Sequence, residues 1–178
     1  MRDVVVGPAR VEEAERILEL QRLSYRTEAA LYDDWTLPPL TQTLRELLEQ
    51  YDDHTILVAR LEEEVVGSVR ARLEGGTCYV GRLVVHPRLQ RRGLGTRLMR
   101  EIEASSPEAE RYELFTGHLS EGNLRLYRRL GYRELREEEI SPALRLVYLE
   151  KPGGNSVRRR DALAGNAAYD GRPTLKNL

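Results

Sequence analysis

The chain has 178 residues, of which 40% are hydrophobic and 32% charged, with a net charge of −1. That supports one domain with a real core, excludes a disordered polar chain, and supplies no general cationic field for nucleic acid. A single cysteine, Cys78, excludes an internal disulfide, and His54, His86 and His118 lack the spacing of metal ligands.

Val4 to Gly7 form a short β-branched run, read as an edge strand. From Ala9 to Tyr32, apolar residues at Val11, Ala14, Ile17, Leu18, Leu20 and Leu23 recur at helical spacing without glycine or proline. The prolines of "DDWTLPPLTQ" break the helix, and Thr41 is the expected cap of a second one over "QTLRELLEQY". "TILVARL" (55–61) and "VVGSVRARL" (65–73) read as a hairpin, with Arg70 and Arg72 sharing one face. A turn at "EGG" leads to a third strand, "TCYVGRLVVHP", closed by Pro87. "TRLMREIEA" then gives a helix, "RYELFTG" a strand, and "SEGNLRLYRRLGY" a short helix with Ser120 as N-cap and Gly131 after its end. "YRELREEEI" and "LRLVYLE" read as a closing antiparallel pair. The expected class is α/β (α+β): one mixed sheet flanked by helices, with 77–117 a right-handed parallel unit.

After Lys151 the texture changes to Gly, Pro, Asn and Ala, with five basic and two acidic residues. The expectation is a domain over 1–151 and a flexible tail over 152–178, the alternative being an arm that packs on a partner subunit. No stretch approaches the roughly 18 apolar residues of a membrane span, and "MRDVVVGPAR" lacks a cleavage signal, so a cytoplasmic protein without membrane attachment is expected.

"RLQRRGLGTR" (88–97) lies between a strand and a helix. The first N–H groups of a helix have no internal partner and the helix dipole favours negative charge there, so such a turn suits an anion. Gly93 and Gly95 remove the Cβ atoms that would hold a pyrophosphate away, Thr96 adds a hydroxyl, and Arg91 and Arg92 add charged donors. Of the 28 cationic residues 26 are arginine, which suits anion recognition, although codon bias gives the same excess. The spacing is Q-x-x-G-x-G: there is no P-loop lysine, and Leu98 stands where a dinucleotide fingerprint needs its third glycine. Taken alone, the pattern also fits a glycine turn before a surface helix.

"LVVHPRLQRRGLGTRLM" resembles motif A of the GNAT superfamily of acyl-CoA-dependent N-acetyltransferases, and "NLRLYRRLGY" looks like the family's motif B. The two lie in the family's order, and the resemblance covers roughly residues 3–151. It implies the GNAT fold: a single, mostly antiparallel sheet with a central parallel pair. It also implies that the strand at 77–86 carries a bulge and splays from the strand at 111–117, opening a slot for acetyl-CoA. The pantetheine arm would then lie along the backbone of Leu83, Val84 and Val85. The pyrophosphate would sit on the turn formed by Gln90, Arg91, Arg92, Gly93, Leu94, Gly95 and Thr96. Asn123 would touch the pantetheine or phosphate region, and Tyr127 would protonate the leaving thiolate. No metal is required, and a homodimer is a further implication, because family members often pair.

A tyrosine within reach of sulfur can donate to a developing thiolate, and the attacking amine must arrive neutral. The base is harder to find, because the strand before motif A carries no carboxylate where many family members place a Glu. Glu28 is the preferred candidate, four residues from Tyr32 on one helical face. His118 and Glu74 are rivals. Tyr32, Asp33, Asp34 and Trp35 would wall an acceptor pocket and favour an ammonium, whereas Arg70 or Arg72 would favour an acceptor carboxylate. The expected activity is acetyl transfer to a primary amine of a small molecule, amino acid or peptide. The alternatives are a non-catalytic acyl-CoA-binding regulatory module on the same fold and, against the net charge, a nucleic-acid-binding protein.

Overall fold

The computed structural model describes residues 3–154 and residue 156. In chain order the strands are β1 (Val4–Pro8), β2 (Thr55–Leu61), β3 (Glu64–Glu74), β4 (Thr77–Val85), β5 (Arg111–Gly117), β6 (Arg133–Ser141) and β7 (Leu144–Pro152). The helices are α1 (Ala14–Tyr32), α2 (Pro38–Thr41), α3 (Leu44–Gln50), α4 (Leu94–Ala104) and α5 (Glu121–Arg129). They build one seven-stranded sheet in the order β1-β2-β3-β4-β5-β7-β6. Every neighbouring pair is antiparallel except β4 and β5, joined through α4. The mixed, helix-flanked sheet expected from the sequence is the one observed.

The apolar run of β2 is continuous because both of its faces are covered. Ile56 and Val58 point into a core with Ile17, Leu20 and Leu47 from α1 and α3. Leu57 and Ala59 point the other way, to Leu98, Met99 and Ile102 of α4. Successive strand residues alternate faces, so one seven-residue segment anchors two helical layers. A third cluster joins Ala29, Tyr32 and Leu37 to Leu144, Leu146 and Tyr148 at the β7 end. The outer strand β6 is exposed along most of its length and studded with Arg and Glu, a charged edge that discourages pairing with other chains. No helix among the described residues is long and apolar enough to cross a membrane.

One local expectation is corrected and two are refined. Thr43, not Thr41, caps α3: its hydroxyl accepts from Glu46 N at 3.3 Å while Glu46 Oε2 accepts from Thr43 N at 2.8 Å. Thr43 lies three residues before a glutamate, as a reciprocal cap demands, whereas Thr41 ends the short α2. Arg70 and Arg72 do not both face solvent. Arg70 is 3% exposed beneath α1 and α3, and Arg72 is tied to Glu74 at 2.9 Å. Ser120 precedes α5 but makes no capping bond with its side chain, which is used elsewhere. At the other end, β7 continues through Pro152, and Gly153 N donates to Glu110 O at 2.8 Å. The tail expected over 152–178 lies otherwise outside the described residues, apart from Gly154 and Ser156.

Candidate active site

The parallel pairing of β4 with β5 consists of Thr77 with Arg111, Cys78 with Tyr112, and Tyr79 with Glu113. Beyond Tyr79 the strands diverge, although β4 continues to Val85 and β5 to Gly117. The cause is a bulge in β4. Val84 pairs with Ser68 and Gly81 with Arg70, so Arg82 and Leu83 together stand opposite Val69. Arg82 takes the extra turn with φ 52°, a left-handed conformation that side chains rarely adopt. The β5-facing backbone of β4 from Val80 to Val85 is left without a strand partner, while its β3 side stays paired. β5 instead pairs along its whole length with β7 on its other side. A slot lined by residues of both strands opens between them.

At one end of the slot stands the turn before α4. Arg91 and Gly93 both have positive φ, 60° and 81°, which curls successive backbone N–H groups toward one side. Gly93 is the residue N-terminal to the helix, and no side chain caps it. Around Gly95 the chain's own packing leaves room for a methyl group, the nearest atom being Leu126 Cδ2 at 3.5 Å. Internal packing therefore does not demand glycine at this position. Arg91 and Arg92 are exposed, and Thr96 is partly buried. Gln90 folds back, donating through Nε2 to Val85 O at 3.2 Å. The arrangement sets two exposed arginines beside a helix N-terminus that no side chain caps.

The slot itself is walled by α1, α5, β4 and β5. Tyr127 and Asn123 enter from α5, and Glu28, Tyr25 and Tyr32 from α1. Asn123 Nδ2 lies 3.4 Å from Thr116 Oγ1, its acceptor on β5. Tyr127 is 6% exposed and meets Tyr132 edge to face at 6.0 Å. Burial raises its hydroxyl pKa far above the ordinary value, and Tyr25 and Glu28 add to the rise, so it is a protonated donor at any physiological pH.

Glu28 is half-buried, and desolvation raises its carboxyl pKa, opposed by a hydrogen bond from Ser120 Oγ. Ser120 Oγ also lies 3.2 Å from Tyr32 Oη, which accepts from Leu119 N at 2.9 Å. Tyr32 sits against Gly117, where an added Cβ would fall 2.0 Å from its hydroxyl. The four-residue spacing thus does put Glu28 and Tyr32 on one face, and the slot is what that face meets. Ser120 was missed as a site residue because it is 92 positions from Glu28 in the chain.

Of the rival bases, His118 borders the slot, its ring centroid 5.7 Å from that of Tyr32, and Glu74 lies far from it. His118 is pinned to β7, its Nδ1 accepting from Arg145 N at 3.0 Å. Glu74 lies at the far end of β4's hairpin, paired with Arg72. The acidic pair after α1 is a turn: Asp33 closes the helix with φ 48°, and Asp34 Oδ1 accepts from Thr36 N at 2.9 Å and Thr36 Oγ1 at 2.6 Å. Trp35 is exposed.

The described geometry can be compared with known proteins. Residues 15–132 match the model of the acetyltransferase (GNAT) family. No curated protein matches the chain. The PaiA N-acetyltransferase of Thermoplasma acidophilum, solved with coenzyme A, is 18% identical with a TM-score of 0.69 over 84% of this chain and 99% of its own. YncA of Salmonella typhimurium, solved with acetyl-CoA, is 17% identical with a TM-score of 0.68 over 96% and 99%. A ribosomal-protein-alanine N-acetyltransferase from Brucella melitensis is 20% identical with a TM-score of 0.66 over 83% and 99%. At these identities the structural likeness speaks for the fold, and the sequence match, which takes in β4, the glycine turn and α5, speaks for descent. The chain belongs to the GNAT acetyltransferase family.

Proposed function

We propose that the chain is an acetyl-CoA-dependent N-acetyltransferase acting on a primary amine by direct attack. The observation that carries this reading is the divergence of β4 from β5 after three residue pairs, with Glu28 and Tyr127 on the walls of the resulting slot. The backbone of Leu83, Val84 and Val85 holds the pantetheine arm as an added strand would be held. The amides from Arg91 to Thr96 hold the pyrophosphate, aided by the Arg91 and Arg92 side chains, and Asn123 contacts the arm nearer the sulfur.

In the reaction a C–N bond forms as the amine nitrogen attacks the thioester carbon, and the C–S bond breaks. Glu28 takes the proton that nitrogen must lose, and Tyr127 gives one to the departing sulfur, so no charge is left on either product. Two features support these roles. Burial weakens Glu28 as an acid, and so strengthens it as a base toward an ammonium. Tyr127 is held protonated in the same slot.

The test is melting temperature with coenzyme A or acetyl-CoA, followed by thiol release with a panel of amines. A rise in melting temperature with either ligand, and thiol release with at least one amine, are expected. Tyr127→Phe should then lower kcat by roughly 10²–10⁴-fold with the ligand-induced shift retained. No shift at millimolar ligand defeats the reading. Binding without turnover, indifferent to Tyr127→Phe, would make the protein a regulatory module instead.

A further inference from the structure

Two buried arginines form no ion pair within 4 Å among the described residues. Arg82, the bulge residue of β4, lines the slot and is 6% exposed. Its Nη1 lies 3.4 Å from Gln42 Oε1, a long bond for a group with five N–H donors. Behind it Arg70 is 3% exposed, donates to Gln21 Oε1 and Gln50 Oε1, and keeps a buried Nε with no acceptor. The glutamines are themselves fixed: Gln21 Nε2 donates to Pro39 O at 2.8 Å and Gln42 Oε1 at 3.0 Å, and Gln42 Nε2 to Gln50 Oε1 at 3.3 Å. Among the described residues no ion pair involves either guanidinium, and the charge of Glu46 on α3 favours the charged form of Arg82.

Two buried cations side at side are costly, and proteins otherwise pair such groups or line them with carboxylates. Burial and mutual repulsion push Arg70 down to about 9, and burial pushes Arg82 down to about 10, so both keep their charge at neutral pH. Neutral amides orient them without discharging them. The slot that Arg82 lines is open to a further counter-charge, and that slot also holds Glu28. An acid and an unpaired arginine on the walls of one pocket match a molecule with both an amine and a carboxylate. Leu37, Phe115, Leu144 and Leu146 supply apolar wall for its side chain.

We infer that the acceptor is a free amino acid with an apolar side chain, its carboxylate received by the Arg82 guanidinium, braced by Arg70, and its amine presented to Glu28. This deepens the acetyltransferase reading and rests on it for turnover, though not for binding. The forked donors of arginine suit a carboxylate geometrically as well as electrically. A peptide amino terminus, whose neighbouring carbonyl is an amide, lacks the group that Arg82 requires.

The test compares leucine and phenylalanine with their amides and with the corresponding decarboxylated amines, all with acetyl-CoA. The acids should have kcat/KM about 100-fold above both analogues, as expected when a buried polar group is left unsatisfied. Arg82→Met should abolish that preference by raising KM for the acids alone, Arg82→Lys should restore part of it, and Arg16→Met, which removes an exposed arginine of α1 paired with Glu19, should leave it intact. The rise in melting temperature with coenzyme A reports that Arg82→Met is folded.

Amides or decarboxylated amines used as well as the acids would overturn the inference, as would an equal loss on all three in Arg82→Met. If coenzyme A binds but no amine releases thiol, the transferase reading fails separately. The inference is then judged by titrating N-acetyl-leucine and N-acetyl-leucine amide into the coenzyme A-saturated protein. At least tenfold tighter binding of the acid upholds it, and equal binding sinks it.

Discussion

Ser120 shows how much one hydroxyl decides. It joins Glu28 of α1 to the loop after β5 and shares Tyr32 with that loop. A hydrogen bond to a carboxylate favours the charged form, while the burial of Glu28 favours the neutral one, so the two oppose each other. With Glu28 as the base, kcat/KM must fall as pH drops through its pKa, at a pH above the ordinary carboxylate value of 4.5. Ser120→Ala removes the opposing bond and should move that acidic limb to still higher pH, with Tyr127→Phe leaving the limb in place. The measurement is a pH–rate profile with one acceptor for all three proteins. A limb unmoved by Ser120→Ala would mean that another group is being titrated.

Among single residues, those that carry a motif were readable from the sequence and those that meet across the fold were not. Gly93 and Gly95 could be named from the turn between a strand and a helix, and Asn123 and Tyr127 from the resemblance of their segment to a family motif; the structure sets the latter two on the slot. Glu28 could be named from its spacing to Tyr32. Arg82 could not, since a lone arginine in an apolar strand gives no sign that a bulge will turn it toward a cavity. Strand alternation put Arg70 on one face with Arg72, which is right about its phase and silent about the helices laid over that face.

Individual elements are fixed mostly by their own sequences, and joined by a few charged contacts. Glu13, at the start of α1, accepts from Arg60 Nε at 2.6 Å, Arg60 Nη2 at 2.7 Å and Arg10 N at 2.7 Å. It ties the first helix to β2. The Arg60 side chain, followed by the Arg10 backbone, holds its carboxyl down at about 2, against 4.5 when free. A depressed carboxylate stabilises the fold above its unfolded pKa and loses that contribution as pH falls from about 4.5 toward 2. Glu13→Gln should therefore cost about 1–2 kcal/mol at pH 7, and the gap should narrow below pH 4.5. Urea unfolding at several pH values reads it, and a pH-independent gap would assign the loss to packing. Helix periodicity located α1 and α4, but the cap of α3 was misplaced by two residues. The deciding feature is the reciprocal pair of Thr43 and Glu46 rather than the nearest threonine.

At the scale of the molecule, the sheet is held differently on its two sides of the slot. β1 to β4 form one antiparallel group and β5 to β7 another, joined at the slot by three pairs at one end of β4. A ligand laid along β4 would complete the hydrogen bonding that the bulge interrupts. Amide hydrogen exchange across 80–85 should accordingly slow by at least tenfold with saturating coenzyme A, as binding to the folded state at 100 times Kd raises the opening free energy by about 2.7 kcal/mol. Exchange in β2 should change less at residues that open locally. Equal protection everywhere would mean that the ligand acts on global unfolding alone.

The bulge at Arg82 has a consequence for how the protein meets other chains. Most sheets keep their unpaired backbone at the rim, where a foreign strand can dock and seed aggregation. Here the outer rim at β6 is guarded by charge, and a second unpaired margin is folded into the middle of the sheet, walled by α1 and α5. The domain thus keeps an adhesive backbone edge permanently open without offering it to its neighbours, and only something as slender as an extended arm can reach it.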